Sequence, residues 1–168
     1  MNLSMYNITA PVFVRVLGNL TSVLKKGVAH AEAHKIDPAV LFSARLYPNM
    51  FPLVRQVQIA TDQAKGCVSR LAGQEPPKFE DNEKTFEELF LRIEKIIEHI
   101  ESFRAAQIDG SETRKVELKT GGQMRSFEGL PYVMNYVYPN FYFHVVTAYD
   151  ILRHNGVEIG KGDFLGQL

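Results

Sequence analysis

Apolar residues return every three or four positions in four stretches of this chain, a spacing that predicts four helices. The first runs from about Thr9 to His34, with Phe13, Leu17, Leu20 and Leu24 on one face and Val16 and Val23 beside them. Thr9 is placed to cap it, and Pro11 falls in the first turn, where a missing amide costs no hydrogen bond. Asp37-Pro38 closes the segment. The second helix begins at Phe51 or Pro52 and ends at Gly73, with Leu53, Val57, Ala60, Ala64, Cys67 and Leu71 as its stripe. The third, capped by Asp81 or Asn82 and running to about Phe103, has the cleanest amphipathic pattern, from Phe86 and Leu89 through Ile93, Ile96 and Ile100. The fourth covers Pro139 to Asn155 and stops at Gly156; Pro139 is expected to break it from a helical piece starting near Leu130.

Between the third and fourth helices the period changes. Residues Lys115 to Lys119 alternate, Thr120-Gly121-Gly122-Gln123 suits a turn, and Met124 to Phe127 can return, which predicts a short β-hairpin. The expected architecture is all-α: a four-helix bundle with a short β-hairpin between helices three and four, in a single domain over residues 1–168.

Composition narrows the partners. Nineteen basic residues balance nineteen acidic ones, so no global field favours nucleic acid or an anionic membrane surface, and neither is expected as a partner. No run approaches the ~18 uninterrupted apolar residues of a membrane helix. The first residues lack a basic stretch followed by an apolar one, so no secretory leader is expected. The lone cysteine, Cys67, leaves no intramolecular disulfide and suits a reducing compartment; the expected location is the cytoplasm.

The candidate chemistry centres on His144. At about 100° per residue, it sits at the margin of the apolar face of the fourth helix with Asn140 and Thr147 as polar neighbours. There a bundle would hold a metal ligand or a catalytic base, and a half-buried histidine satisfied by a cross-helix hydrogen bond would lie there too. His154 is roughly 15 Å away along the helix, too far to share a metal with His144, and reads as a C-terminal cap. His30 and His34 have the i,i+4 spacing that lets two imidazoles share a metal, but His-Ala-Glu-Ala-His does not place its glutamate as zinc proteases do. Near the end of helix one, among Ala29, Ala31 and Ala33, the pair reads as a solvated helix end. On the second helix Gln56 and Gln63 flank the stripe, Asp62 points away from it, and Cys67 lies on it as an inert core thiol. No phosphate-cradling glycine loop, Gly-x-Ser-x-Gly or paired-cysteine motif is present.

The strings Pro139-Asn-Phe-Tyr-Phe-His144, Ala148-Tyr149, Ile151-Leu-Arg-His-Asn-Gly156, Ile159-Gly-Lys161 and Asp163-Phe-Leu-Gly166 resemble the family designated domain of unknown function 1993. So do Met50-Phe-Pro-Leu53, Arg55-Gln-Val-Gln-Ile-Ala60, Ala64-Lys-Gly66 and Arg70-Leu-Ala-Gly73, so the likeness spans essentially the whole chain. That family belongs to the DinB-like superfamily, which implies an up-down-down-up bundle, commonly a homodimer through helix faces. Characterised relatives include metal-dependent enzymes that transfer low-molecular-weight thiols, with a metal on one histidine of helix two and an His-x-x-x-His pair of helix four. This chain has no histidine between Ile36 and Glu98, and four residues either side of His144 stand Asn140 and Ala148. At most one of three ligands remains. The resemblance therefore implies the position of a site rather than its chemistry: a small-ligand pocket lined by Gln56, Gln63, Asn140 and His144, with Tyr149 a further catalytic candidate. No cofactor is expected there. The rival expectation is a divalent transition metal held weakly at His144, serving a thiol transferase or hydrolase.

Overall fold

The computed structural model describes residues 4–167. In chain order its elements are α1 (Ala10–Ala33), α2 (Pro38–Ser43), α3 (Leu53–Leu71), α4 (Phe86–Glu101), α5 (Ala105–Ile108), β1 (Lys115–Thr120), β2 (Gln123–Glu128), α6 (Gly129–Pro131), a π-helical segment (Tyr132–Val137), α7 (Tyr138–His154) and α8 (Lys161–Leu165). The chain is mostly helical, with one small antiparallel sheet.

Side-chain pairings fix the directions of the long helices. Phe13 meets Phe141 edge to face at 4.9 Å and Gly27 lies against Leu152, so α1 and α7 run parallel. Gln56 bonds His144 while Arg70 bonds Tyr132, so α3 opposes α7. Thr61 bonds Arg92 and Ser69 bonds His99, so α3 and α4 run the same way. The order is up, down, down, up. The core is the seam of α1, α3, α4 and α7, where Phe13, Leu17, Leu53, Val57, Ile93 and Phe141 are essentially inaccessible. No helix among the described residues is long and apolar enough to cross a membrane.

The third predicted helix starts later than its pattern implied. Thr85, not Asp81 or Asn82, is the N-cap, its hydroxyl accepting from the Glu88 amide at 3.2 Å. Asp81 is drawn instead to the guanidinium groups of Arg55 and Arg92. Pro139 does not break the fourth helix: it occupies the first turn of α7, directly after the π-helical segment. The short helices α2, α5 and α8 were not apparent from periodicity; α2 is capped by the Asp37 carboxylate, which accepts from the Ala39 amide at 2.9 Å.

The hairpin pairs Lys115 with Glu128 through Thr120 with Gln123. Gly121 and Gly122 have φ of 57° and 79°, the two positive values that a tight hairpin turn requires. Beyond β2 the chain folds back on residue 111, and the Leu130 amide donates to the Glu112 carbonyl at 2.8 Å. A Cβ at Gly129 would fall 1.9 Å from the Ser111 carbonyl oxygen, so no larger residue fits without moving backbone.

On the face of α3 toward α4, polar rather than apolar residues are buried. Arg92 is 2% exposed; its Nε donates to Thr61 Oγ1 at 2.9 Å, and its Nη atoms reach Asp62, Asp81, Glu83 and the Glu80 carbonyl between 3.0 and 3.1 Å. The guanidinium thereby fastens the segment before α4 across α3.

Two stability predictions follow from these contacts. Arg92→Met should lower the unfolding free energy by about 2–4 kcal/mol, and Asp62→Asn by less, because Arg92 keeps Asp81 and Glu83; urea titration reads both, and equal small losses would show that the cluster is not a tie. Gly129→Ala should cost about 1–3 kcal/mol by overpacking, seen as a lower thermal midpoint with unchanged far-ultraviolet dichroism.

Candidate functional site

Near the N-terminus of α3 and the middle of α7, one hydrogen-bonded chain crosses between the helices. The Gln56 side-chain amide donates from Nε2 to the Phe51 carbonyl at 2.9 Å. That fixes its orientation, because a carbonyl oxygen accepts only. Gln56 Oε1 is then turned toward His144 and lies 2.6 Å from its Nδ1. An amide oxygen cannot donate, so Nδ1 carries the proton and the other ring nitrogen, Nε2, carries the lone pair.

Burial lowers the His144 pKa to about 4, and the nearby Arg55 charge pushes the same way. The ring is neutral at pH 7. Gln56 is 1% exposed and His144 9%, so the pair sits at the edge of the core with the imidazole barely reaching the surface. Nε2 has no hydrogen-bond partner among the described residues and is not fully shut off from solvent. Phe143 meets the His144 ring edge to face at 5.3 Å, and the Phe51 ring lies 5.9 Å from the Arg55 guanidinium. Both phenylalanines are more than half exposed.

The other candidates from the sequence are placed elsewhere. Asn140 donates from Nδ2 to the Tyr136 carbonyl at 2.6 Å, and Thr147 donates to the Phe143 carbonyl at 2.7 Å; both polar groups are taken up one turn back in their own helix. Gln63 is half-buried, two turns and about 10 Å along the axis of α3 from Gln56. Tyr149 donates to the Ile159 carbonyl at 3.4 Å and packs on Phe164, so it steadies the segment after α7. Of the five expected residues, the structure joins Gln56 and His144. At the end of α7 it is Asn155 whose side chain bonds the Ile151 carbonyl, at 2.7 Å, rather than His154. Cys67 is fully buried and its thiol is pushed far up by burial, which leaves it inert.

A three-histidine metal centre does not fit these residues. His144 spends one nitrogen on Gln56, whose amide is itself committed to Phe51, and no three His, Cys, Asp or Glu among the described residues are grouped to hold a metal.

Two features escaped sequence reading. Arg92 stands three residues after Leu89 and four before Ile96, on the apolar side of its helix, and that misplaced charge was the available signal. Ser69, fully buried, donates to the Lys65 carbonyl and so receives from His99 Nε2, both at 2.9 Å; burial depresses the His99 pKa and keeps that ring neutral. Without a nucleophile that solvent can reach, this pair is a structural tie.

Comparison with known proteins agrees with this architecture. The crystal structure of a DinB family member protein from Shewanella denitrificans is 40% identical in sequence and superposes with a TM-score of 0.89, over 97% of this chain and 92% of that one. No curated protein matches. The family model described as Domain of unknown function (DUF1993) matches residues 5–165. A match over that length, with the same fold in a close relative, means that the chain belongs to the DUF1993 family.

Proposed function

We propose that this protein is a single-domain, DinB-like four-helix bundle over residues 1–168 that binds a small ligand at His144 without a tightly held metal. The observation that carries this reading is the fixed chain from the Phe51 carbonyl through Gln56 to His144, which presents Nε2 as a neutral, pre-oriented acceptor beside Phe51 and Phe143. Such an arrangement favours a ligand with one hydrogen-bond donor on an apolar or aromatic body: the donor meets Nε2 and the body covers the exposed phenylalanines. Gln63, Asn140 and Tyr149 enter this reading as outlying members of the site. Pairing of two copies through helix faces and a cytoplasmic setting complete it, the first on the strength of the family and the second on the lone buried cysteine.

The rival is an enzyme, a thiol transferase or hydrolase, using His144 as base or as ligand to a divalent metal. The free Nε2 opposite a bonded Nδ1–H favours it, since metal-bound and catalytic imidazoles share that arrangement. Its depressed pKa disfavours the base role, because a base of pKa about 4 removes protons poorly at pH 7.

A fragment screen by protein NMR tests the reading: binders should shift the His144 ring signals and lose at least tenfold in affinity in His144→Ala. Elemental analysis of untagged protein, prepared without chelators, should show no metal that depends on His144. Near-stoichiometric metal in the parent that vanishes in His144→Ala would overturn the proposal in favour of the enzyme. Acid unfolding supplies a second check. The folded pKa of about 4 lies below the ordinary histidine value of 6.5, so this group's contribution is complete above 6.5 and is lost as pH falls through 4. The stability advantage of the parent over His144→Gln should shrink by about 1–2 kcal/mol between pH 7 and pH 4, allowing for the partly solvated ring.

A further inference from the structure

At the end of the molecule where α1 and α7 both finish, a second histidine cluster borders an open cavity. His30 and His34 lie one turn apart on α1, with ring centres 4.2 Å apart and planes tilted by 31°. His34 Nδ1 is 2.9 Å from the His30 carbonyl oxygen, to which it can only donate, so His34 Nε2 carries a lone pair away from the helix. His34 is exposed and His30 partly so. The facing wall comes from the chain after α7, where Gly156, at φ 90°, turns the backbone past the His30 ring; a Cβ there would sit 3.7 Å from His30 Cε1. The cavity of about 430 Å³ is lined by Lys26, Ala29, His30, His34, Gly156, Val157 and Glu158. Its one lysine is engaged outside it, with Lys26 Nζ 2.6 Å from Asp163. Two imidazoles and the Glu158 carboxylate therefore decide what the cavity accepts.

We propose that His30 and His34 bind one divalent transition cation, with Glu158 as a carboxylate from the opposite wall and water filling the remaining positions. Two imidazoles at i,i+4 lie one helical turn apart, a spacing that two metal–nitrogen bonds of about 2.1 Å can close. Imidazole donors select copper, nickel or zinc over magnesium or calcium. The bond from His34 Nδ1 to a backbone carbonyl is the outer support that orients a metal-bound imidazole. Among the described residues no three such side chains are already grouped to hold a metal, and the two rings pack against each other. Binding therefore requires His30 and His34 to turn their lone pairs together and Glu158 to swing in from the opposite wall. Bound there, the ion links the last turn of α1 to the segment joining α7 and α8.

The test is calorimetric titration of untagged, metal-stripped, full-length protein with Cu²⁺, Ni²⁺ and Zn²⁺, followed by paramagnetic resonance of the copper form. One equivalent of copper is expected, bound more tightly than zinc, with nitrogen couplings in its spectrum and a raised thermal midpoint. His30→Ala and His34→Ala should each weaken binding at least tenfold; both residues are at the surface, so the variants should keep the parent's dichroism. Glu158→Gln should weaken it by a smaller factor, and His144→Ala should leave it unchanged. Copper affinity unaltered in both His30→Ala and His34→Ala overturns the proposal. Binding that survives in those two but disappears in His144→Ala overturns it as well, and at the same time contradicts a metal-free His144 site.

Discussion

The fold turns on the need to satisfy polar groups buried along α3. This helix is covered on most of its circumference, and Gln56, Gln58, Thr61, Lys65 and Ser69 are all nearly inaccessible. Each unpaired group of that kind would cost about 1–3 kcal/mol, so several together would rival the 5–15 kcal/mol of a typical domain. Every one is met. Gln56 takes Phe51 and His144, Gln58 takes Glu83, Thr61 takes Arg92, Lys65 takes Asp62, and Ser69 takes His99. A purely apolar face tolerates sliding by part of a turn; the pairs that cross between helices do not. Thr61–Arg92 and Ser69–His99 set the register of α3 against α4, and Gln56–His144 sets it against α7, while Lys65–Asp62 stays within α3.

What the sequence made legible follows from the same division. Apolar spacing carries the four long helices, because each buries a stripe of Leu, Ile, Val or Phe, and paired glycines at 121 and 122 mark the hairpin turn. Spacing says little about polar residues. On a helical wheel Asn140 and His144 look alike, since a wheel gives direction and not partner; Asn140 turns back to its own Tyr136 carbonyl while His144 reaches another helix. Asp81 looked like a cap because carboxylates favour that place, but two guanidinium groups compete for it and a threonine four residues on does the capping. Tyr149 is a candidate from the sequence, yet its hydroxyl serves a segment with no periodic signal of its own. Long-range polar pairing is the information that a single chain's pattern does not hold.

The π-helical segment explains how it and α7 both reach α3. Tyr132 accepts from Arg70 near the end of α3, and His144, twelve residues later, bonds Gln56 near its start. In an unbroken α-helix twelve residues turn through three full circles and a further ~120°, so the two side chains would face different neighbours. A π turn takes up one extra residue, about 100° of rotation, and returns His144 to the face that Tyr132 occupies. Pro139 supplies a reason for the turn to lie there: it has no amide to give the carbonyl four residues back, and its ring would crowd that carbonyl in a regular helix. With the deviation placed before Tyr138, α7 itself runs regularly through His144. The imidazole is thus set by a local backbone irregularity on one side and by a fixed glutamine on the other, and both hold one lone pair in one direction. An imidazole held this way keeps one tautomer, with Nδ1 bonded to Gln56 and the Nε2 lone pair in a fixed direction.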